Sequence, residues 1–376
     1  MIAILSTISL LLTALYAFVL AYLIKGWHSL KPAMKHDGPY TIKVTVMVAA
    51  RNEEENIGYT IEDILAQDYP KELTEIIIAD DHSTDRTAEI IRSYSGRGVK
   101  LLQMNEEQPL NSYKKKAIAR AISLSGGELM VATDADCRMG PKWLSSIVSC
   151  FQAGDIVMLS APVAFYQERN LFECLQTLEF SFLIGTGAGF IGNKRASTCN
   201  GANLAYLKST FYEVGGFTGI DKLASGDDEL LLQKVAKSFP GKIAFLKNRD
   251  AIVFTHAKHT IGSFMKQRRR WASKSTHYKD KRIVALVTGL WLFNLSVFVN
   301  AALSFYDIRF FKLFLIQFGI KLLLEAVFLY PVTTFLKRPS LLPLLIILSP
   351  LHIIYFIYIG MLGSTRKYEW KGRMVR

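Results

Sequence analysis

The chain has 376 residues, more than one ordinary domain and enough to bury a sizeable core. Its apolar stretches sit at the two ends, and much of the formal charge of +13 abuts them, which points to anionic lipid headgroups and argues against a nucleic-acid partner. Cys137, Cys150, Cys174 and Cys199 show no C-x-x-C spacing, which argues against a zinc site and a disulfide framework.

Residues 2–24 carry no charge. At about 1.5 Å per residue a helix of that length crosses the roughly 30 Å hydrocarbon layer. No basic region precedes it and no small-residue cleavage site follows, so a retained membrane anchor is expected over 1–24. A linker with Pro32, Gly38 and Pro39 then covers 25–41.

Lys43–Ala50 is β-branched and apolar on both faces, as a buried parallel strand should be. A polar turn, Arg51–Ile57, opens a helix to about Gln67, its acids suited to the first turn. A second strand over Leu73–Ala79 is closed by Asp80-Asp81-His82-Ser83-Thr84-Asp85. There Ser83 or Thr84 is expected to cap a helix running to about Tyr94. A third strand at Val99–Met104 and a helix from Lys114 to about Leu124 lead to the run Leu129–Thr133, which ends in Asp134-Ala135-Asp136. This β-α-β-α alternation predicts a right-handed, doubly wound parallel sheet with ligands at the carboxyl ends of its strands. Alternate residues of a strand face one way, so Asp134 and Asp136 are expected to address one hard cation.

Residues 169–190 are apolar but hold Glu173 and Glu179, which argues against a transmembrane helix and leaves an amphipathic helix and a core helix both open. Ser225 is expected to cap a helix from Asp227 to about Lys237, placing Asp228 in its first turn. Ile261–Ala272 is basic and partly apolar, the pattern of an interfacial helix. Further spans are expected at 283–305, 311–335 and 341–363, the middle one burdened by Lys312, Lys321 and Glu325. Basic residues at both ends of the central domain place it in the cytoplasm. The basic tail, 364–376, belongs on the same side only if the last segment bends back, and Pro350 is the expected bend of such a hairpin.

Ala50-Arg51-Asn52-Glu53, Ala79–Asp85, Thr133–Asp136, Ser225-Gly226-Asp227-Asp228 and Gln267-Arg268-Arg269-Arg270-Trp271 together resemble the ordered motif set of glycosyltransferase family 2. Membrane-bound members are nearest in pattern: processive polysaccharide synthases and lipid glycosyltransferases similar to ceramide glucosyltransferase. The resemblance covers about residues 42–275. It implies an α/β, GT-A domain, Rossmann-like with a mostly parallel sheet, over 42–258. An amphipathic segment over 259–282, a membrane bundle over 283–363 and the tail complete the chain.

The activity implied is an inverting, metal-dependent hexosyltransferase of the cell membrane, moving a sugar from a UDP-linked donor to a lipid acceptor. Processive polysaccharide synthesis and a catalytically inert scaffold are the alternatives. In the resembling family Asp80 and Asp81 hold the nucleotide, with Arg51 and Glu53 either beside it or at the surface of a helix start. Asp134 and Asp136 hold Mg²⁺ or Mn²⁺ against the donor diphosphate, and His256 is a further candidate ligand with a local hydrogen-bonding role as its rival. Asp228 is the general base; Asp227 stands where the family more often has Glu, which makes it the second candidate. Gly201, Ala202 and Asn203 match the acceptor-site stretch. Gln267 and Trp271 line that site, Arg270 meets the diphosphate, and Arg268 and Arg269 are left to face lipid.

Overall fold

The computed structural model describes residues 2–32, 38–105, 112–221, 223, 225–273, 278, 280–362, 368–370 and 373–375. Residues 33–37 of the expected linker, 363 at the end of the expected membrane bundle, and 364–367, 371, 372 and 376 of the expected tail lie outside that set. The chain divides into two compact units.

The α/β unit takes residues 28–167, 190–256 and 369–376. Its frame is β1 (Val44–Ala50), β2 (Thr74–Asp80), β3 (Val99–Gln103) and β4 (Leu129–Asp134), all parallel, in the spatial order β3-β2-β1-β4. Val44, Val46 and Val48 on one face and Thr45 and Met47 on the other are at most 2 % exposed, as expected of a strand covered on both faces. Helices α2 (Ile57–Leu65), α3 (Thr87–Ser93) and α4 (Tyr113–Leu124) connect these strands. Beyond β4 the sheet continues through β8 (Leu204–Leu207), β6 (Met158–Ser160) and β9 (Ile243–Phe245); β8 runs antiparallel to both of its neighbours. The sheet is therefore mostly parallel rather than wholly so. A second sheet sets β10 (Val253–Thr255) between β5 (Arg138–Met139) and β7 (Val163–Phe165). Helices α5 (Trp143–Ala153), α7 (Lys208–Glu213) and α8 (Glu229–Ser238) complete the unit.

Two helix starts differ from expectation. α3 begins at Thr87, and Asp85 rather than Ser83 or Thr84 receives its first amide, Thr87 N–H at 3.0 Å. α2 begins at Ile57, so Glu53, Glu54 and Glu55 lie in the turn before the helix. Glu53 still serves it, because its carbonyl accepts from Ile57 N–H at 2.9 Å.

The helical unit takes residues 1–27, 168–189 and 257–368. It contains α1 (Ile2–Ser29), most of α6 (Leu171–Gly192), α9 (Ile261–Ala272), α10 (Lys281–Leu303), α11 (Ile308–Phe335) and α12 (Leu345–Leu362). Among the described residues five helices are long and apolar enough to cross a membrane: α1, α6, α10, α11 and the stretch Pro339–Met361 that contains α12. α6 qualifies by length and composition although it holds two acids, and both are paired. Glu173 meets His259 Nδ1 at 2.9 Å, and Glu179 takes Arg268 Nε at 3.0 Å. In α11 the burden of Lys321 and Glu325 is likewise cancelled internally, since the two ion-pair one turn apart, and Tyr16 O–H from α1 donates to Glu325 at 2.6 Å.

α12 is helical straight through Pro350, so the hairpin expected there does not form. A proline removes one intrahelical donor, a loss that membrane helices tolerate.

Candidate active site

The register of the parallel strands builds the crevice. Ala50 of β1 lies opposite Asp80 of β2, and Ala49 opposite Asp134 of β4. Each acid is the last residue of its strand, so Asp80 and Asp134 flank β1 at the carboxyl edge of the sheet, one residue out of register with each other and about 10 Å apart across two strand spacings. Strand order reverses at β1, and that is where an open α/β sheet leaves room for a ligand.

Asp80 and Asp81 are 1 % and 2 % exposed. Asp80 accepts from Ser83 N–H at 3.3 Å, and Asp81 contacts His82 Nδ1 at 3.0 Å. The loop they begin is stitched to the turn after β1. Arg51 donates to the carbonyls of Asp81 and His82 at 2.8 and 3.0 Å, Asn52 N–H to Ser83 Oγ at 3.0 Å, and Glu53 N–H to Thr87 Oγ1 at 2.8 Å. Arg51 thus braces the acidic loop.

Beyond Asp134 the chain turns, so the alternation expected of a strand does not carry on to Asp136. The turn is pinned from α2, where the fully buried Thr60 hydroxyl lies 2.8 Å from the Ala135 carbonyl and 2.9 Å from that of Cys137. The two acids consequently face different surroundings. Asp134 receives Lys114 Nζ at 2.8 Å. Asp136 lines a cavity of about 230 Å³ with Asn56, Tyr59, Arg138, Tyr166 and His256. Arg138 is held there by a two-bond pair with Asp63, at 2.6 and 2.9 Å, and the His256 ring stacks on Tyr166 at 4.5 Å. Among the described residues no three His, Cys, Asp or Glu converge on a metal-sized site. A carboxylate and an imidazole sharing one cavity still suit a divalent ion whose other ligands come from a diphosphate.

Asp228 is the N-cap of α8, one position before the first turn in which it was expected, and Ser225 plays no capping part. One carboxylate oxygen accepts from Glu229 N–H at 2.7 Å and the other from Gly201 N–H at 3.0 Å. Gly201 is needed for that approach, because a Cβ there would lie 3.2 Å from the Asp228 Cβ. Asp227 points to Lys114 at 3.4 Å. Burial alone would depress the Lys114 ammonium, but the carboxylates of Asp134, Asp227 and Asp228 outweigh it and hold the group well above the ordinary lysine range. One residue on, Lys115 is 2 % exposed and donates to the carbonyls of Leu223 and Ser225, the latter at 2.7 Å, fastening the loop that leads to Asp228.

Sequence reasoning missed both lysines. The signal was present: cations in the first turn of a helix oppose its dipole and need acids nearby.

Ala202 and Asn203 are corrected. Ala202 is 3 % exposed, and Asn203 is fully buried: its amide donates to the carbonyls of Pro162 and Ala251, both at 2.8 Å, and accepts from Trp143 Nε1 at 2.9 Å. Asn203 ties β8 to its surroundings and has no face left for an acceptor.

In the helical unit, Gln267, Arg270 and Trp271 lie on α9, whose start is fixed by reciprocal bonds between Thr260 and Ser263. Arg268 does not face lipid as expected. It is 2 % exposed, paired with Glu179, and its guanidinium lies 4.3 Å from the centre of the Trp271 ring. The Gln267 side chain accepts from Arg268 at 2.5 Å.

Residues 45–215 match the family described as glycosyl transferase family 2. The chain is 28 % identical over 239 residues to a probable glycosyltransferase, YdaM, of Bacillus subtilis, covering 61 % of this chain and 54 % of that one. It is 30 % identical over 109 residues to a beta-monoglucosyldiacylglycerol synthase of Nostoc, covering 29 % of this chain and 23 % of that one. It thus spans about half of the first relative and about a quarter of the second. In fold it is similar to the mannosyltransferase PcManGT of Pyrobaculum calidifontis, solved with GDP-mannose and Mn²⁺. The TM-score is 0.63 at 18 % identity, over 96 % of this chain and all of that one.

Proposed function

The chain carries a family 2 glycosyltransferase domain, and from that premise we propose that it moves a sugar from a UDP-linked donor to a membrane lipid, with inversion at the anomeric carbon. The observation that carries this reading is the convergence of Asp134, Lys114, Asp227 and Asp228 beside the carboxyl edge of the sheet.

Asp80 and Asp81 open the donor end. A carboxylate there accepts from ribose hydroxyls and from a base imide N–H. Lys114 gives the diphosphate a cation already poised among acids. Asp136 and His256, which line one cavity, would hold Mg²⁺ or Mn²⁺, which when bound neutralises charge on the departing diphosphate. The fold relative was solved with Mn²⁺, which supports that choice of ion.

The Asp228 carboxylate is aimed by two amide donors, from Gly201 and Glu229. It takes the acceptor's hydroxyl proton as that oxygen bonds to C1. The C1–O bond to phosphate breaks, and its electron pair leaves with the nucleoside diphosphate. Attack from the face opposite the leaving group inverts C1.

Two observations support a lipid acceptor: the diacylglycerol-linked activity named for one relative, and the apolar helices of the helical unit. The test is nucleotide release by the purified protein across a panel of UDP- and GDP-sugars with membrane lipid extract, followed by product mass. UDP release matched by a singly glycosylated lipid is the expected result. Release only from GDP-sugars, a ladder of polymer masses, or no release at all would overturn the donor, the acceptor or the activity, respectively.

A further inference from the structure

Length and composition alone allow Pro339–Met361 to cross a membrane. Its contacts with the rest of the helical unit do not. α1, α10 and α11 form a bundle in register. Gln317 of α11 bonds to Asn300 at 2.7 Å and to Ser296 at 3.0 Å on the antiparallel α10, so residue 317 lies opposite about residue 298. Seven residues back along α10 is Trp291, and seven on along α11 is residue 324. Trp291 and Glu325 therefore share a level. Tyr16 of α1 corroborates this, bonding Glu325 at 2.6 Å and stacking on Phe293 at 4.2 Å.

α12 touches that one level twice. Ser349 Oγ lies 3.4 Å from Glu325 Oε2, and the Ile357 carbonyl accepts from Trp291 Nε1 at 3.2 Å. Residues 349 and 357 are eight apart, about 12 Å along a helix. Had α12 run along the bundle, Ile357 would stand about eight positions from residue 325 on α11. Three residues later the helix is still beside Trp291, since a Cβ on Gly360 would fall 2.3 Å from its Nε1. Near its middle, Tyr355 packs on Phe264 of the amphipathic α9 at 5.5 Å.

Trp291 lies ten residues from Lys281, about 15 Å, which is half of a roughly 30 Å hydrocarbon layer. Leu345, Ser349, Ile353 and Ile357 rest on the protein, while Ile346, Leu351, Ile354, Tyr358 and Met361 are 47 to 69 % exposed along the other face. That face is apolar throughout, like the exposed Leu11, Phe18 and Phe298 of the bundle. The residues that follow, Arg366, Lys367, Lys371, Arg373 and Arg376, carry the same sign as Lys281 and Arg282 at the start of α10.

We propose that α12 does not cross the membrane: it lies across the bundle within the leaflet on the Lys281 side, its exposed face against the acyl chains of that leaflet. The chain end then returns to the face from which α10 starts. This surface is independent of which sugar is moved and of whether any is.

Two measurements on the full chain test it. Epitope tags placed after Tyr306, in the turn between α10 and α11, and at the C-terminus should report opposite faces by antibody access before and after permeabilisation. Tags on the same face would overturn the proposal. Spin labels at Ile347→Cys, Ile354→Cys and Met361→Cys, in a cysteine-free protein in vesicles, should show similar depths by oxygen and nickel-chelate access. A monotonic change of about 20 Å over those fourteen residues, the value for a spanning helix, would equally refute it.

Discussion

Replacing Lys115 by Met separates the architecture of the site from its chemistry. The ammonium is 2 % exposed and donates to the carbonyls of Leu223 and Ser225. Bonds from a charged donor contribute about 1.5–3 kcal/mol each, so two set an upper bound near 6 kcal/mol. Methionine fills the same volume and relieves the buried charge, whose desolvation costs several kcal/mol, so a net loss of about 2 kcal/mol is expected. At 1.4 kcal/mol per tenfold, the ratio of held to released loop before Asp228 then falls roughly thirtyfold. If the base works only when held, turnover falls by up to that factor. Donor KM should stay within about twofold, because Asp80 and Asp134 are fixed by strands and not by this loop. Steady-state nucleotide release, with kcat and donor KM resolved, is the assay. An unchanged kcat, or a loss confined to donor KM, would refute the reasoning.

Asn203→Ala strips partners from Pro162, Ala251 and Trp143, so urea unfolding should reveal destabilisation of about 3 kcal/mol or more; wild-type stability with a raised acceptor KM would restore the acceptor role. Chelator should abolish transfer, with Mg²⁺ or Mn²⁺ restoring it, and His256→Ala should raise the half-saturating metal concentration roughly tenfold or more. Full activity in chelator, on protein verified metal-free, would dismiss the ion.

Much of this arrangement was legible beforehand. Each of the parallel strands β1, β2 and β4 is a buried apolar run ended by polar residues, so Asp80 and Asp134 fell at the strand ends where the structure has them. Local patterns do not encode strand direction, which is why the reversal at β8 went unseen. Nor do they encode partners more than a hundred residues away: Lys115 reads as one of three surface lysines until Ser225 is found beside it. Asn203 failed in the opposite sense, since a resemblance gave it a ligand and burial gave it three protein partners. Two adjacent arginines in a juxtamembrane run look alike in sequence, yet Glu179, on a different helix, pulls Arg268 inside. The path of the last helix depended on contacts at Glu325 and Trp291 that hydropathy cannot register.

The central claim is that Asp228, aimed by Gly201 and Glu229, takes the acceptor's proton. Asp228→Asn keeps the shape and removes the acceptor of that proton, so its donor affinity and its transfer rate, measured on one preparation, test the claim most directly. The account predicts donor binding within about twofold of wild type and transfer lower by about 10²-fold or more. Transfer at the wild-type rate would contradict it and pass the role to Asp227.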